Sequence, residues 1–239
     1  MIVLLTGAGI SQESGLSTFR DADGLWTSVP IEDVATPEAF ARDPCRVNAF
    51  YNSRRRKLLG DDIAPNAAHR ALARLQLARS DVILITQNVD NLHERAGSPH
   101  VLHMHGELLK ARCLACESEF SWLEDISLES RCPDCAIGGH LRTGVVWFNE
   151  RPRHLEEIGE ALELCRLFVA IGTSGSVHPA ASFVEMARGR SVEINLAPSV
   201  IADRFDEGNY GPAGKTVPAF VERLMSAELA GEIAGTNAR

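Results

Sequence analysis

Short aliphatic runs at residues 2–6, 82–86, 101–104, 168–171 and 192–195 alternate with stretches whose apolar residues recur at helical spacing. Such alternation predicts an α/β fold, a Rossmann-like parallel sheet joined by crossover helices. Helices are expected over 37–41, 45–59, 65–78, 155–164, 179–187 and 218–229. Several open on proline, which suits a first turn because no amide hydrogen is needed there. Two segments break the alternation. A helical stretch at about 30–62 lacks a strand partner, and a cysteine-bearing stretch at about 110–143 reads as an insertion. Together they are expected to form a small zinc-binding and helical domain. The Rossmann-like part then comprises about 1–29, 63–109 and 144–229, with 230–239 a frayed tail.

Composition narrows the class. The 239 residues are 45% hydrophobic and 23% charged, ordinary values for a soluble globular chain. No run approaches the ~18 apolar residues of a membrane span, and the opening residues lack the basic region of a secretory signal. The expectation is a cytoplasmic protein, whose paired cysteines hold metal rather than disulfides. A net charge of −8 argues against a nucleic-acid binder. Arg54-Arg55-Arg56-Lys57 fan around a helix, so most of that run is expected on a solvated surface. Cys45 and Cys165 fall in helical patterns and are expected to be buried spectators.

Four other cysteines, Cys113, Cys116, Cys132 and Cys135, are spaced C-x2-C-x15-C-x2-C. Two such pairs close a tetrahedron around one zinc ion, and four protein ligands leave no open position, so the ion is expected to be structural. Candidate chemistry lies at the strand ends. The first strand runs into Gly7-Ala8-Gly9-Ile10-Ser11, a glycine loop suited to a pyrophosphate, with a helix N-terminus behind it; Gln12 stands where a third glycine belongs, so by itself the loop equally suits a plain tight turn. Gly172-Thr173-Ser174 and Asn195 end two further strands, and three such ends predict a nucleotide crevice. Gln87-Asn88-Val89-Asp90 offers amides and a carboxylate for a ribose or carboxamide, while Asn88 or Asp90 equally suits a helix cap. His103 and His105 would share one side of an extended chain, and either suits general-base work or a structural hydrogen bond.

Taken in order, Gly7 to Ser11, Ser14-Gly15, Thr18-Phe19-Arg20, Gln87 to Asp90, His105-Gly106, the two cysteine pairs and Gly172-Thr173-Ser174 resemble the sirtuin family of NAD-dependent protein lysine deacylases. Phe50-Tyr51-x-x-Arg54 and Val145-Val146-Trp147-Phe148 are most similar to its class III, bacterial-type branch. The resemblance implies an NAD site drawn from Gly7, Ala8, Gly9, Ile10, Ser14, Thr18, Phe19, Arg20 and Trp26, then from Gln87, Asn88, Val89 and Asp90. Gly172, Thr173, Ser174, Asn195, Leu196 and Ala213 would complete it. It also implies that His105 is the general base, with Asn88 beside it in catalysis. The acyl oxygen would attack the ribose carbon and expel nicotinamide; His105 would then activate a ribose hydroxyl, yielding O-acyl-ADP-ribose and free lysine. Val145, Val146, Trp147 and Phe148 would pair with the substrate backbone.

Tyr51 and Arg54 share a helix face at i and i+3, where a phenol beside a guanidinium grips a carboxylate. In class III sirtuins this pair reads the acidic end of a malonyl- or succinyl-lysine. The expected substrates are therefore acylated lysine proteins or peptides, with NAD as cosubstrate, one zinc, no membrane or specific nucleic-acid partner, and a plausible monomer. Gln12, Asn149 and Ala197 depart from the family pattern without removing a catalytic group. The competing readings are protein mono-ADP-ribosyl transfer, a catalytically silent NAD sensor and a zinc-ribbon nucleic-acid binder.

Overall fold

The computed structural model describes residues 1–18 and 29–226. In chain order its strands are β1 (Ile2–Thr6), β2 (Val82–Thr86), β3 (Leu102–His103), β4 (Gly106–Cys113), β5 (Glu119–Ser121), β6 (Leu141–Val145), β7 (Leu167–Ile171), β8 (Arg190–Asn195) and β9 (Glu207–Tyr210). The helices are α1 (Ile31–Val34), α2 (Pro37–Arg42), α3 (Pro44–Leu58), α4 (Ala67–Ala78), α5 (Leu92–Arg95), α6 (Leu155–Leu164), α7 (Phe183–Met186) and α8 (Ala213–Met225).

Six strands form one parallel sheet in the order β3-β2-β1-β7-β8-β9. Successive side chains of a strand face opposite ways, and the core divides accordingly. Ile2 and Leu4 of β1, with Leu167, Val169 and Ile171 of β7, pack against α4 and α8 through Leu72, Leu75, Val217, Phe220 and Leu224. Val3 and Leu5, with Phe168 and Ala170, face Ile158 and Leu162 of α6 and Phe183 of α7. Helices therefore cover both faces, which is why β1 and β7 are buried along their whole lengths. The strand order turns outward in both directions from β1 and β7. Parallel sheets open a ligand crevice beyond the carboxyl ends of strands at such a switch point.

Three strands make a second, antiparallel sheet, β5-β4-β6. Its entry is set by Gly106, at φ +72°, where an added Cβ would lie 2.1 Å from the Gly144 carbonyl oxygen. Only glycine fits there. One apolar cluster joins α1, α2 and α3 to Leu108, Val145 and Trp147, and another fills the cysteine module.

Several elements differ from expectation. The run at 101–104 pairs only over Leu102–His103, because residues 104 and 105 turn away. The stretch 179–187 divides into a 3-10 turn, Ala180–Ser182, and the short α7. The last helix begins at Ala213, five residues before Pro218; the proline sits inside it and costs one backbone hydrogen bond. The glycine loop leads into a 3-10 segment, Ala8–Ser14, in place of an α-helix. Arg55 is fully buried, donating from Nη1 to Asn52 Oδ1 (2.8 Å) and from Nε to the Leu108 carbonyl (3.2 Å), so the basic run is not all solvated. Cys45 is exposed, whereas Cys165 is buried. The expected tail lies outside the described residues, and among those described no helix is long and apolar enough to cross a membrane.

Candidate functional site

A cavity of about 890 Å³ opens beyond the carboxyl ends of β1, β2, β7 and β8. Its described wall includes Ala8, Gly9, Thr18, Gln87, Asn88, Val89, His105, Gly172, Thr173, Ser174, Asn195, Leu196 and Ala213, together with Tyr51, Arg54, Val145, Val146, Trp147 and Phe148. Gly7, Ile10, Ser14 and Asp90 stand behind that wall. Phe19, Arg20 and Trp26 lie outside the described residues.

The loops after β1 and β7 touch backbone to backbone. A Cβ on Gly9 would come within 2.8 Å of Gly172 Cα, and Gly172 itself holds φ +62°. The Gly7 and Gly9 amides donate to the carbonyls of Ile171 (2.9 Å) and Gly172 (2.8 Å). These glycines therefore serve loop–loop packing, and neither amide is left for a phosphate. Asn195 Nδ2 donates to the Thr173 carbonyl at 2.8 Å, and Gln87 Nε2 to Thr173 Oγ1 at 3.0 Å, so side chains tie the neighbouring strand ends together.

Asn88 is held at three points. Its backbone N–H donates to Thr86 Oγ1 (3.0 Å), and its Nδ2 donates to the Gly7 carbonyl (3.1 Å) and Ser11 Oγ (3.2 Å). With both amide hydrogens engaged, Oδ1 is the group it can offer a ligand hydroxyl. Ser11 in turn donates to Asp90 Oδ2 (3.0 Å), while Asp90 Oδ1 accepts the Leu92 N–H (3.0 Å), closing a turn onto the start of α5, whose N-cap position is Asn91. Burial raises the Asp90 pKa against these hydrogen bonds.

The two candidate histidines part company at the turn through residues 104 and 105. His105 reaches the cavity, and its Nδ1 lies 3.0 Å from the Gln87 carbonyl. A carbonyl only accepts, so Nδ1 carries the hydrogen and Nε2 bears the lone pair. Burial lowers the His105 pKa, with the Gln87 hydrogen bond opposing, and the neutral ring is favoured. His103 stays buried, between the Asn88 carbonyl (3.2 Å from Nδ1) and Glu94 Oε1 (2.7 Å from Nε2). Burial disfavours its charge, but Glu94, and Glu107 more weakly, outweigh that and raise its pKa. Both nitrogens then act as donors.

Behind the loop, Asn66 donates its backbone N–H to His69 Nδ1 (3.3 Å), leaving His69 Nε2–H to meet Ser11 Oγ at 3.4 Å. Burial pushes the His69 pKa down to about 4 from 6.5. The unfolded chain thus takes up a proton as pH falls below 6.5 while the folded chain resists until about 4. Stability carried by this neutral ring is complete above pH 6.5 and is lost on acidification through that window, a loss of about 3 kcal/mol. Urea unfolding at stepped pH should show it, with a shallower slope in His69→Gln. An unchanged slope would count against a neutral His69.

Tyr51 and Arg54 share the cavity-facing side of α3, with Tyr51 5% exposed. Burial raises the Tyr51 pKa, keeping a phenol hydroxyl, and lowers that of Arg54. Along 145–150, the N–H groups of Val146, Trp147 and Phe148 are engaged by the His105 carbonyl (2.8 Å), Glu150 Oε2 (2.7 Å) and the Ala35 carbonyl (3.0 Å). These three N–H groups are therefore already engaged. Asn149 holds φ +70°, which asparagine tolerates better than most residues.

The four cysteine sulfurs lie within 4.8 Å of one another, with Cys113 Sγ 3.8 Å from Cys135 Sγ and Cys116 Sγ 3.7 Å from Cys132 Sγ. A tetrahedron with Zn–S bonds of about 2.3 Å has edges of about 3.8 Å. The cluster fits one structural zinc held by thiolates alone.

Some wall residues carried no warning in the sequence. Glu13 Oε1 accepts the Gly214 N–H (2.8 Å) in the first turn of α8, a favourable place for an acid. Glu150, on the wall beside Trp147, pairs with Arg142. The segment 197–200 also contributes; a strand end followed by Ala-Pro-Ser was the only signal for it.

Comparison with known proteins agrees with this geometry. The Sir2 family profile matches residues 7–179. An NAD-dependent protein deacylase of Escherichia coli strain K12 is 54% identical over 98% of this chain and 85% of its own length. Its namesake in Bdellovibrio bacteriovorus is 53% identical over 94% and 96% of the two chains. Among solved structures, a Sir2 homologue in complex with NAD superposes with a TM-score of 0.82 at 39% identity, covering 93% of this chain and 88% of that one. A mutant Sir2 homologue bound to ADP-ribose reaches 0.87 at 38% identity, covering 95% and 93%. The chain belongs to the Sir2 family.

Proposed function

We propose that this Sir2-family enzyme is an NAD-dependent protein lysine deacylase that removes acetyl groups and also acidic acyl groups of the succinyl and malonyl kind. One observation carries the reading: a single cavity gathers the strand-end loops of a nucleotide site, a neutral histidine and the Tyr51–Arg54 pair. NAD supplies the activated ribose and the nicotinamide leaving group. The chain's own residues do the rest. The loops at 8–9, 172–174 and 195–196, with Ala213, line the nucleotide's place. Asn88 Oδ1 orients a ribose hydroxyl, and His105 Nε2 takes its proton. The Val146 carbonyl, which carries no hydrogen bond among the described residues, suits the amide N–H of an acylated lysine.

For acyl choice the argument is electrostatic. A guanidinium whose hydration is reduced by burial gains most from a carboxylate, and the Tyr51 hydroxyl adds a second donor. Helices 30–62 and the cysteine module 110–143 are read as one small domain beside the cleft. A thiolate-held metal suits a reducing compartment such as the cytoplasm.

The test is purified protein, NAD and a panel of acylated peptides, followed by mass spectrometry. Nicotinamide, free lysine and O-acyl-ADP-ribose should appear together. Absence of nicotinamide release with every peptide would overturn the deacylase reading, and labelled ADP-ribose fixed to protein would favour ADP-ribosyl transfer. Arg54→Met should lower desuccinylation by about 10–100-fold, the worth of a charge-assisted hydrogen bond, while deacetylation changes much less. Equal losses on both substrates would refute the carboxylate role.

A further inference from the structure

Arg142 on β6 is 5% exposed and does not reach the cavity, yet its guanidinium touches three parts of the wall segment at 145–150. Nη2 donates to the Val145 carbonyl at 2.7 Å. Nη1 and Nη2 donate to Glu150 Oε1 and Oε2 at 2.6 and 3.0 Å. Between these ends, Cζ lies 3.3 Å from the centroid of the Trp147 ring. Glu150 closes the loop by accepting the Trp147 N–H at 2.7 Å and donating its own N–H to the Trp147 carbonyl at 3.1 Å. Trp147 in turn packs against Phe40, centroids 5.2 Å apart, and Tyr51, 6.4 Å apart.

We propose that Arg142 is a positioning residue for acyl-lysine recognition, acting through Glu150 and Trp147. The proposal rests on the deacylase reading and adds the group that sets the geometry of its substrate side. One planar fork fixes the start of the substrate-facing segment, its end and the indole between them. The indole then fixes the wall that Tyr51 shares. Geometry of this kind needs a guanidinium: it is flat enough to lie on an indole and forked enough to bind both carboxylate oxygens. Lysine in its place keeps the charge but loses the fork and the stacking. The nucleotide side of the cavity stands on the β1, β2, β7 and β8 loops, none of which Arg142 touches. Its removal should therefore be felt on one substrate only.

The experiment measures steady-state kinetics of Arg142→Lys and Glu150→Gln with acetyl- and succinyl-peptides and NAD, together with anisotropy of a labelled acyl-peptide binding to the zinc-loaded protein. In Arg142→Lys the KM and the binding constant for both peptides should rise about tenfold, the worth of one hydrogen bond to a charged group. KM for NAD and kcat should move less than about threefold, and the succinyl-to-acetyl ratio should stay put, unlike in Arg54→Met. Glu150→Gln, which keeps an acceptor for the Trp147 N–H, should show the same split at smaller size, and it carries the test if Arg142→Lys does not fold. Unchanged peptide constants in a folded variant, or equal losses toward NAD and peptide, would overturn the proposal. Failure of wild-type protein to release nicotinamide overturns the deacylase reading instead; peptide binding then decides the positioning role, and wild-type protein that binds no acyl-peptide overturns that too.

Discussion

His105→Ala is expected to slow formation of free lysine by about 10²–10⁴-fold, the usual worth of a positioned general base. Exchange of labelled nicotinamide into NAD in the presence of acyl-peptide should persist, because expelling nicotinamide needs no base from this histidine. The geometry gives the reason for the split. The Gln87 carbonyl at 3.0 Å fixes the hydrogen on Nδ1, and Nε2 is left as an acceptor for a hydroxyl proton. Burial favours the neutral ring, so the acidic limb of the pH–rate profile should have its midpoint below the ordinary 6.5. The working form is the deprotonated one; activity is present above that midpoint and lost as pH falls through it. His105→Ala should abolish this limb along with the rate. Equal loss of exchange and lysine release, or a limb that survives the substitution, would remove His105 from the base role.

Legibility in the sequence followed burial and locality. Every residue of β1 is buried, so an unbroken aliphatic run announced it, and the same holds for β7. By contrast β9, Glu207–Tyr210, is an edge strand with β8 as its one neighbour and carries no aliphatic residue, so nothing marked it. The antiparallel sheet was hidden for a related reason: Lys110 and Arg112 interrupt β4, where half-exposed positions accept charge. The cysteine cluster was legible because a C-x2-C turn is local chemistry. Residue type and spacing left His103 and His105 equivalent; the family resemblance singled out His105, and the turn at 104–105 sends its ring into the cavity and the other behind Asn88. Contacts that depend on tertiary placement left no trace. Glu13 meets Gly214, and Arg142 meets Glu150 across a bend that Asn149 makes with a positive φ. Arg55 is the sharpest case: a basic run suggests solvent, yet its second arginine is buried by the partners Asn52 and Leu108.

Cys132→Ser should cost soluble protein before it alters chemistry. The cysteine module's buried core is Ala111, Cys113, Ile126, Cys132 and Leu141, so two of its members are themselves metal ligands. With only the partly buried Phe120, Trp122 and Cys135 packed against it, so small an apolar cluster leaves most of the work of closing two loops to the thiolate–zinc bonds. Such sites contribute about 10–16 kcal/mol of apparent binding free energy, against a whole-domain margin of about 5–15 kcal/mol. The loss also reaches the proposed acyl site through named bonds. Asn52, one residue after Tyr51 on α3, donates from Nδ2 to the Ile126 carbonyl and accepts the Ile126 N–H, both at 2.9 Å. Freeing the module releases that pair and with it the helix that carries Tyr51 and Arg54. Stripping zinc from wild-type protein with a chelator should therefore lower the melting temperature and weaken binding of succinyl-peptide together, in proportion to metal content measured by mass spectrometry. A soluble Cys132→Ser protein that contains no zinc and still binds NAD and peptide normally would show that the metal does not hold this fold.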